Sequence, residues 1–146
     1  MQIRLDQAFT LPAWWFILPA YLTLWTLTFS IYGYFDGNGM MDAFGIDTGG
    51  ASDFIMLNSA GRYLALATAM LLGIWILRTF SSILTALMAR LVMDVFDLMA
   101  GIQAGVIVDA TSVIQSLLMF LLPNLVSIWL LFRFRKRMAG NGLKES

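Results

Sequence analysis

From Trp14 to Phe35 the chain reads WWFILPAYLTLWTLTFSIYGYF without a single charge. A helix needs about 20 mostly apolar residues to cross the ~30 Å hydrocarbon layer of a bilayer, and this run meets that length. Three more runs of similar character follow, at about 57–77, 80–104 and 113–132. Together they cover most of the chain, of which 60% is hydrophobic and 12% charged. That charged share is about half that of an ordinary soluble domain, and a soluble chain of this size could not hide so much apolar surface. The sequence therefore predicts an all-α fold: an integral membrane antiparallel four-helix bundle, one domain over 1–146. The first run is longer than a signal-peptide core and no small-residue cleavage site follows it, so it is expected to stay as an anchor.

Composition excludes several chemistries. There is no Cys and no His, which removes protein disulfides, thiolate or imidazole metal sites and imidazole acid–base catalysis. Formal net charge is zero, so no nucleic-acid partner is indicated. No nucleotide, phosphate or calcium motif is present, and the glycines of DGNG (36–39) are turn residues. No cofactor is expected.

Orientation follows from the basic residues, which favour the cytoplasmic side of short loops. Arg4 precedes the first span, Arg78 marks the second turn, and Arg133, Arg135, Lys136 and Arg137 follow the fourth span. The 36–56 linker holds four Asp and no Lys or Arg, and a short helical piece is expected in it near Met40 to Phe44. Both termini are thus expected in the cytoplasm, with 36–56 an acidic outer loop and 133–146 a basic tail. Trp14, Trp15 and Trp75 would mark the inner interface, and Tyr32, Tyr34 and Tyr63 the outer one.

Three charges stand inside the third span, in LMARLVMDVFDLMAG (87–101): Arg90, Asp94 and Asp97. Their i, i+4, i+7 spacing puts them on one helical face. Arg90, about 15 Å from the inner end of its helix, can reach Asp94 along that helix. Spans two and three form a hairpin turning near 78–80, so residues equidistant from the turn share a height, which sets Arg62 opposite Asp97. Unpaired charge at mid-membrane costs about 2.5–3.5 kcal/mol on insertion scales, so an Arg62/Arg90/Asp94/Asp97 network is expected. Asn124, after Pro123, offers a donor and an acceptor near the height of Arg90. The first span adds hydroxyls at Thr23, Thr26 and Ser30 and the indole of Trp25.

Small residues recur at Gly61, Ala65, Ala69 and Gly73, and again at Gly101 and Gly105. Such stripes let helices approach closely; a contact inside the bundle is the first reading and a dimer interface the second.

The sequence NSAGRYLALATAMLLGIWILR (58–78), followed by ARLVMDVFD (89–97), resembles the small four-helix membrane proteins grouped as DoxX-like families of unknown function. The resemblance implies a compact bundle in the bacterial inner membrane, accessory to redox or stress systems, with Asn58, Arg62, Arg90 and Asp97 as its polar signature. It supplies no catalytic mechanism.

Three uses of the charged set compete: a clamp that fixes helix register, a polar floor beneath a cavity for a small amphipathic or lipidic ligand such as a quinone, and a proton or ion pathway through Asp94 and Asp97. A cofactor-free isomerase built on the Asp pair is a further alternative, opposed by the arginines that would keep both carboxylates ionised. The expected role is a non-enzymatic binding or accessory subunit whose partners are membrane lipids, a lipid or quinone-like ligand, and a larger membrane complex or further copies of itself.

Overall fold

The computed structural model describes residues 10–43, 53–103 and 110–142, excluding the side chains of 40–43, 53–56 and 139–142. Arg4, Gly105 and residues 44–52 of the acidic linker, named above, lie outside the described residues. Four helical rods account for nearly all the rest. A 3-10 turn, Ala13–Phe16, leads into α1, Ile17–Ala43; α2, Asp53–Met70, continues as a π-helical segment, Leu71–Leu77; α3 is Phe80–Gln103. The fourth rod joins α4, Ala110–Ser116, through a π-helical segment, Leu117–Leu121, to α5, Leu122–Gly142. Among the described residues there is no strand.

The helix boundaries follow local chemistry. Asp36 interrupts α1 with a non-helical backbone (φ −151°, ψ 67°), one residue past the uncharged run. Its carboxylate accepts the Gly39 amide at 2.9 Å, as a helix N-cap does. The stretch to Ala43 is therefore a separately started helical piece, three residues nearer the first span than the sequence indicated. At the other end, α5 runs on through RFRKR to Gly142, so the basic tail is a helical extension.

The turn between the second and third rods occupies Arg78 and Thr79. Arg78 takes the left-handed conformation (φ 51°), a C-cap role usually given to glycine. Its Nε donates to the Trp75 carbonyl at 3.1 Å. Thr79 then starts α3: its Oγ1 accepts the Ser82 amide, and the Ser82 Oγ accepts the Thr79 amide, both at 3.1 Å. This reciprocal pair has the form of a capping box. The Ser82 hydroxyl also lies 3.0 Å from the Gly73 carbonyl, tying the π-helical segment to α3.

One end of the bundle is aromatic and basic. Trp14 meets Phe134, Phe16 meets Trp75 and Phe80 meets Phe132, with ring centroids 5.3–5.6 Å apart. Arg78 stacks over Phe16, Arg133 over Trp129 and Arg135 over Phe80. The start of α1, the turn before α3 and the middle of α5 thus share this end, and the rods run antiparallel. Trp15 is buried at this end.

Inward from that end, Leu22, Met70, Ile74, Ile83, Leu87 and Leu131 form a buried plug. Outward-facing residues are as apolar as the inside: Leu24, Ile31, Phe35, Leu64, Ile76, Phe96, Leu118 and Trp129 are all exposed. Such a surface suits lipid better than water. Three helices, Ala13–Gly39, Leu57–Leu77 and Ala110–Met138, are long and apolar enough to cross a membrane. Four runs were expected; α3 has the length but carries Arg90, Asp94 and Asp97 within its middle.

The small-residue stripe on the second rod divides. Gly73 is buried, and a Cβ there would fall 2.6 Å from the Ser82 carbonyl oxygen and 3.0 Å from the Ala86 Cβ. Gly61, Ala65 and Ala69 are exposed, with nothing within 4 Å of a Cβ built on Gly61. Only the Gly73 end serves helix contact inside the bundle.

Candidate functional site

Arg90 and Asp94 meet as the helical spacing requires, Nη2 to Oδ1 at 2.7 Å, with side chains 3% and 4% exposed. Arg90 Nη1 donates to the Thr26 hydroxyl on α1. That hydroxyl in turn donates to the Leu22 carbonyl at 2.7 Å, so its lone pairs are free to accept. The guanidinium also lies 5.9 Å from the centroid of Phe120 in the fourth rod, within cation–π range. One side chain therefore touches three rods.

Asp97, the next charge along that face of α3, is half-buried and accepts the Tyr63 hydroxyl at 2.5 Å. The expected partner was Arg62. Arg62 is exposed, and its Nη2 lies 3.3 Å from the Met93 sulfur. Among the described residues, Arg90–Asp94 is the one ion pair within 4.0 Å. The height estimate held to within a residue, but height does not give direction around the helix. One step along a helix is about 100°, which separates inward Tyr63 from outward Arg62. The inward face of the second rod carries Ala60, Tyr63, Ala67, Met70 and Ile74; the outward face carries Asn58, Arg62, Ala65 and Ala69. Asn58 is thus exposed, on Arg62's side, and does not join the polar cluster.

Asn124 is fully buried and its amide donates to the Leu87 carbonyl of α3 at 3.2 Å. The carboxamide lies beside Asp94, as the height argument anticipated. It arrives there through an irregular stretch. Pro123 has no N–H to give and stands one residue past the end of the π-helical Leu117–Leu121, a combination that reshapes the backbone ladder. Ser127 donates back to the Pro123 carbonyl at 2.7 Å. A last inter-rod bond, Ser30 to the Ala60 carbonyl at 3.2 Å, joins α1 to α2.

Arg90, Asp94 and Asp97 line a cavity of about 130 Å³ together with Trp25, Phe29, Tyr63, Leu98, Ser116, Phe120 and Leu121. All four rods contribute. Trp25 faces Phe29 and Phe120 at centroid distances of 5.4 and 5.8 Å, and Phe29 faces Tyr63 at 5.5 Å, so the aromatic wall is continuous. The cavity sits about 20 Å from the basic end, counting ~1.5 Å per residue. Toward that end the apolar plug closes it, so it is blind. Buried atoms on its lining residues lack a hydrogen-bond partner: Trp25 Nε1, Arg90 Nε and Asp94 Oδ2.

Sequence reasoning missed Tyr63, which it placed at an interface, and the ring walls of Phe29 and Phe120. The available signal was the spacing Ala60, Tyr63, Ala67, Met70, whose i, i+3, i+4 rhythm marks a packed face. The geometry gives a direct comparison. Tyr63→Phe removes an inter-helix hydrogen bond and is expected to cost about 0.6 kcal/mol, the average for such bonds between membrane helices, and at most about 1.7 kcal/mol. Arg62→Gln should stay within about 0.5 kcal/mol of the parent, as exposed positions do. Unfolding in mixed detergent micelles measures both, and the reverse order would restore Arg62 to the network.

Among the described residues no group of three or more acidic, His or Cys side chains is placed to hold a metal ion. No family model, curated protein or solved structure matches the chain.

Proposed function

We propose that the protein is a four-span membrane protein of the bacterial inner membrane with both termini in the cytoplasm. It acts as a non-enzymatic binding or accessory subunit whose central cavity receives the head of a small amphipathic or lipidic ligand. α3 also spans the membrane in this reading, since its Arg90 and Asp94 neutralise one another and both are buried, which lowers the cost of carrying them into lipid. The gathering of Arg78, Arg133 and Arg135 at one end of the bundle supports the orientation, and the DoxX-like resemblance belongs to the same proposal.

The observation that carries the reading is the cavity: a polar floor with unpartnered atoms, under a wall of aromatic rings. Buried polar atoms are nearly always satisfied in native proteins, and a bound molecule that donates a hydrogen bond supplies what Asp94 Oδ2 lacks. Drug-sized sites run to about 300–1,000 Å³, whereas an apolar cavity of ~150 Å³ accepts benzene. The occupant's head is therefore about one ring in size. A blind cavity with a plug of packed side chains suits binding better than conduction.

Benzyl alcohol is a suitable neutral probe. At a hundred times its dissociation constant it should stabilise the protein against unfolding by about 2.7 kcal/mol, beyond any effect on a control membrane protein. Ser116→Phe, which fills the cavity from the fourth rod, should fold normally and lose this stabilisation. Overpacking by Ser116→Phe, with a cost of about 1–3 kcal/mol and no change in probe response, would mean that the space is not there.

A further inference from the structure

The charges on the cavity wall do not balance. Arg90 contributes one positive charge and Asp94 and Asp97 one negative each, leaving a formal excess of one carboxylate. The arginine expected to make up the difference, Arg62, is exposed and does not line the cavity. Asp97 has a hydroxyl for its partner, which is a donor without charge. Asp94, its side chain 4% exposed, keeps Oδ2 without a donor. An uncompensated carboxylate is costly in a medium of low dielectric constant, and a cation entering from outside would remove that cost.

The walls point the same way. The indole of Trp25 and the ring of Phe29 stand beside the carboxylates in a contiguous aromatic surface. Ring faces attract ammonium groups, and recognition of organic ammonium ions by aromatic cages rests on this. A simple metal cation would gain little from such a wall, while an organic cation gains from both walls and floor. An anion would meet the excess carboxylate.

We propose that the occupant of the cavity is a small organic monocation, a ring-sized ammonium whose N–H groups donate to Asp94 and Asp97 and whose body lies against Trp25 and Phe29. This rests on the ligand-cavity reading above and adds the charge.

The test uses the full chain in phosphatidylcholine nanodiscs, where the lipid surface has no net charge, and titrates three probes of nearly one shape: benzylammonium, benzyl alcohol and benzoate. Binding lost in Ser116→Phe defines the site-specific part. Benzylammonium is expected to bind about tenfold or more tighter than benzyl alcohol, with benzoate not binding. Asp97→Asn, which keeps an acceptor for Tyr63, should bring benzylammonium and benzyl alcohol to within about threefold of each other, a gap of ~0.65 kcal/mol. Trp25→Leu should weaken benzylammonium more than benzyl alcohol, which keeps the comparison available where Asp97→Asn does not fold. Equal or tighter binding of benzyl alcohol to the parent protein would mean that the cavity is neutral and would overturn the proposal while leaving the cavity reading intact. Site-specific binding of benzoate would overturn it as well. Failure of all three probes would sink the cavity reading itself.

Discussion

Replacing Arg90 by Leu is expected to destabilise the protein by about 3–5 kcal/mol, because it leaves Asp94 buried with no counter-charge. The same substitution removes the Thr26 hydrogen bond and the stacking on Phe120, so three rods lose a common anchor. Arg90→Leu combined with Asp94→Leu should recover most of that loss, since a buried pair replaced by apolar residues is often neutral or better. The difference between the double variant and the sum of the single ones is the coupling of the pair. A single-variant cost below about 1 kcal/mol, the usual value of an exposed pair, would mean that the cluster is open to water. The double variant also separates two roles: it should fold yet bind none of the ring-sized probes, whereas a cluster that serves only as a clamp would leave probe binding unchanged.

The second large effect is expected at Gly73. Alanine there drives a Cβ to 2.6 Å from a backbone oxygen of α3, and backbone cannot swing aside as a flexible side chain can. Overpacking of this kind costs about 1–3 kcal/mol, offset in part by the ~1 kcal/mol by which alanine outdoes glycine in a helix. Gly61→Ala meets open space and should be neutral or stabilising by up to about 1 kcal/mol. Unfolding of both variants under one set of conditions gives the contrast. Destabilisation at Gly61 equal to that at Gly73 would indicate that the exposed part of the stripe packs against another helix, such as one from a second copy.

Much of the bundle was legible because long uncharged apolar runs leave a chain so few options. Uncharged length located the first rod, and Asp36 ended it one residue past the run. The pairing of Arg90 with Asp94 was legible because it is local, being fixed by helix geometry alone. Contacts between helices were legible in height and not in rotation. The hairpin turn sets which residues of the second and third rods stand level, but whether Arg62 or its neighbour Tyr63 faces inward depends on packing against α1. Phe29 and Ala60, on two different rods, decide that rotation through a ring contact and a hydroxyl–carbonyl bond. Asn58 shares Arg62's face and followed it outward. The π-helical segments before Arg78 and Pro123 were not legible, since no residue type marks a π turn as Gly or Pro marks a break.

The chain's lack of cysteine allows a direct test for a cavity in the half of the bundle that faces away from the basic end. Single cysteines are placed at Ser116, on the cavity wall, and at Ile83, in the fully buried plug. A small cationic, membrane-impermeant thiol reagent is then added to the outside of intact spheroplasts. Ser116→Cys is expected to react from outside and to be slowed by benzyl alcohol or benzylammonium, and Ile83→Cys to stay unmodified. Labelling of Ser116→Cys only when the reagent is supplied from the cytoplasmic side, or equal labelling of both variants, would contradict this placement of the cavity.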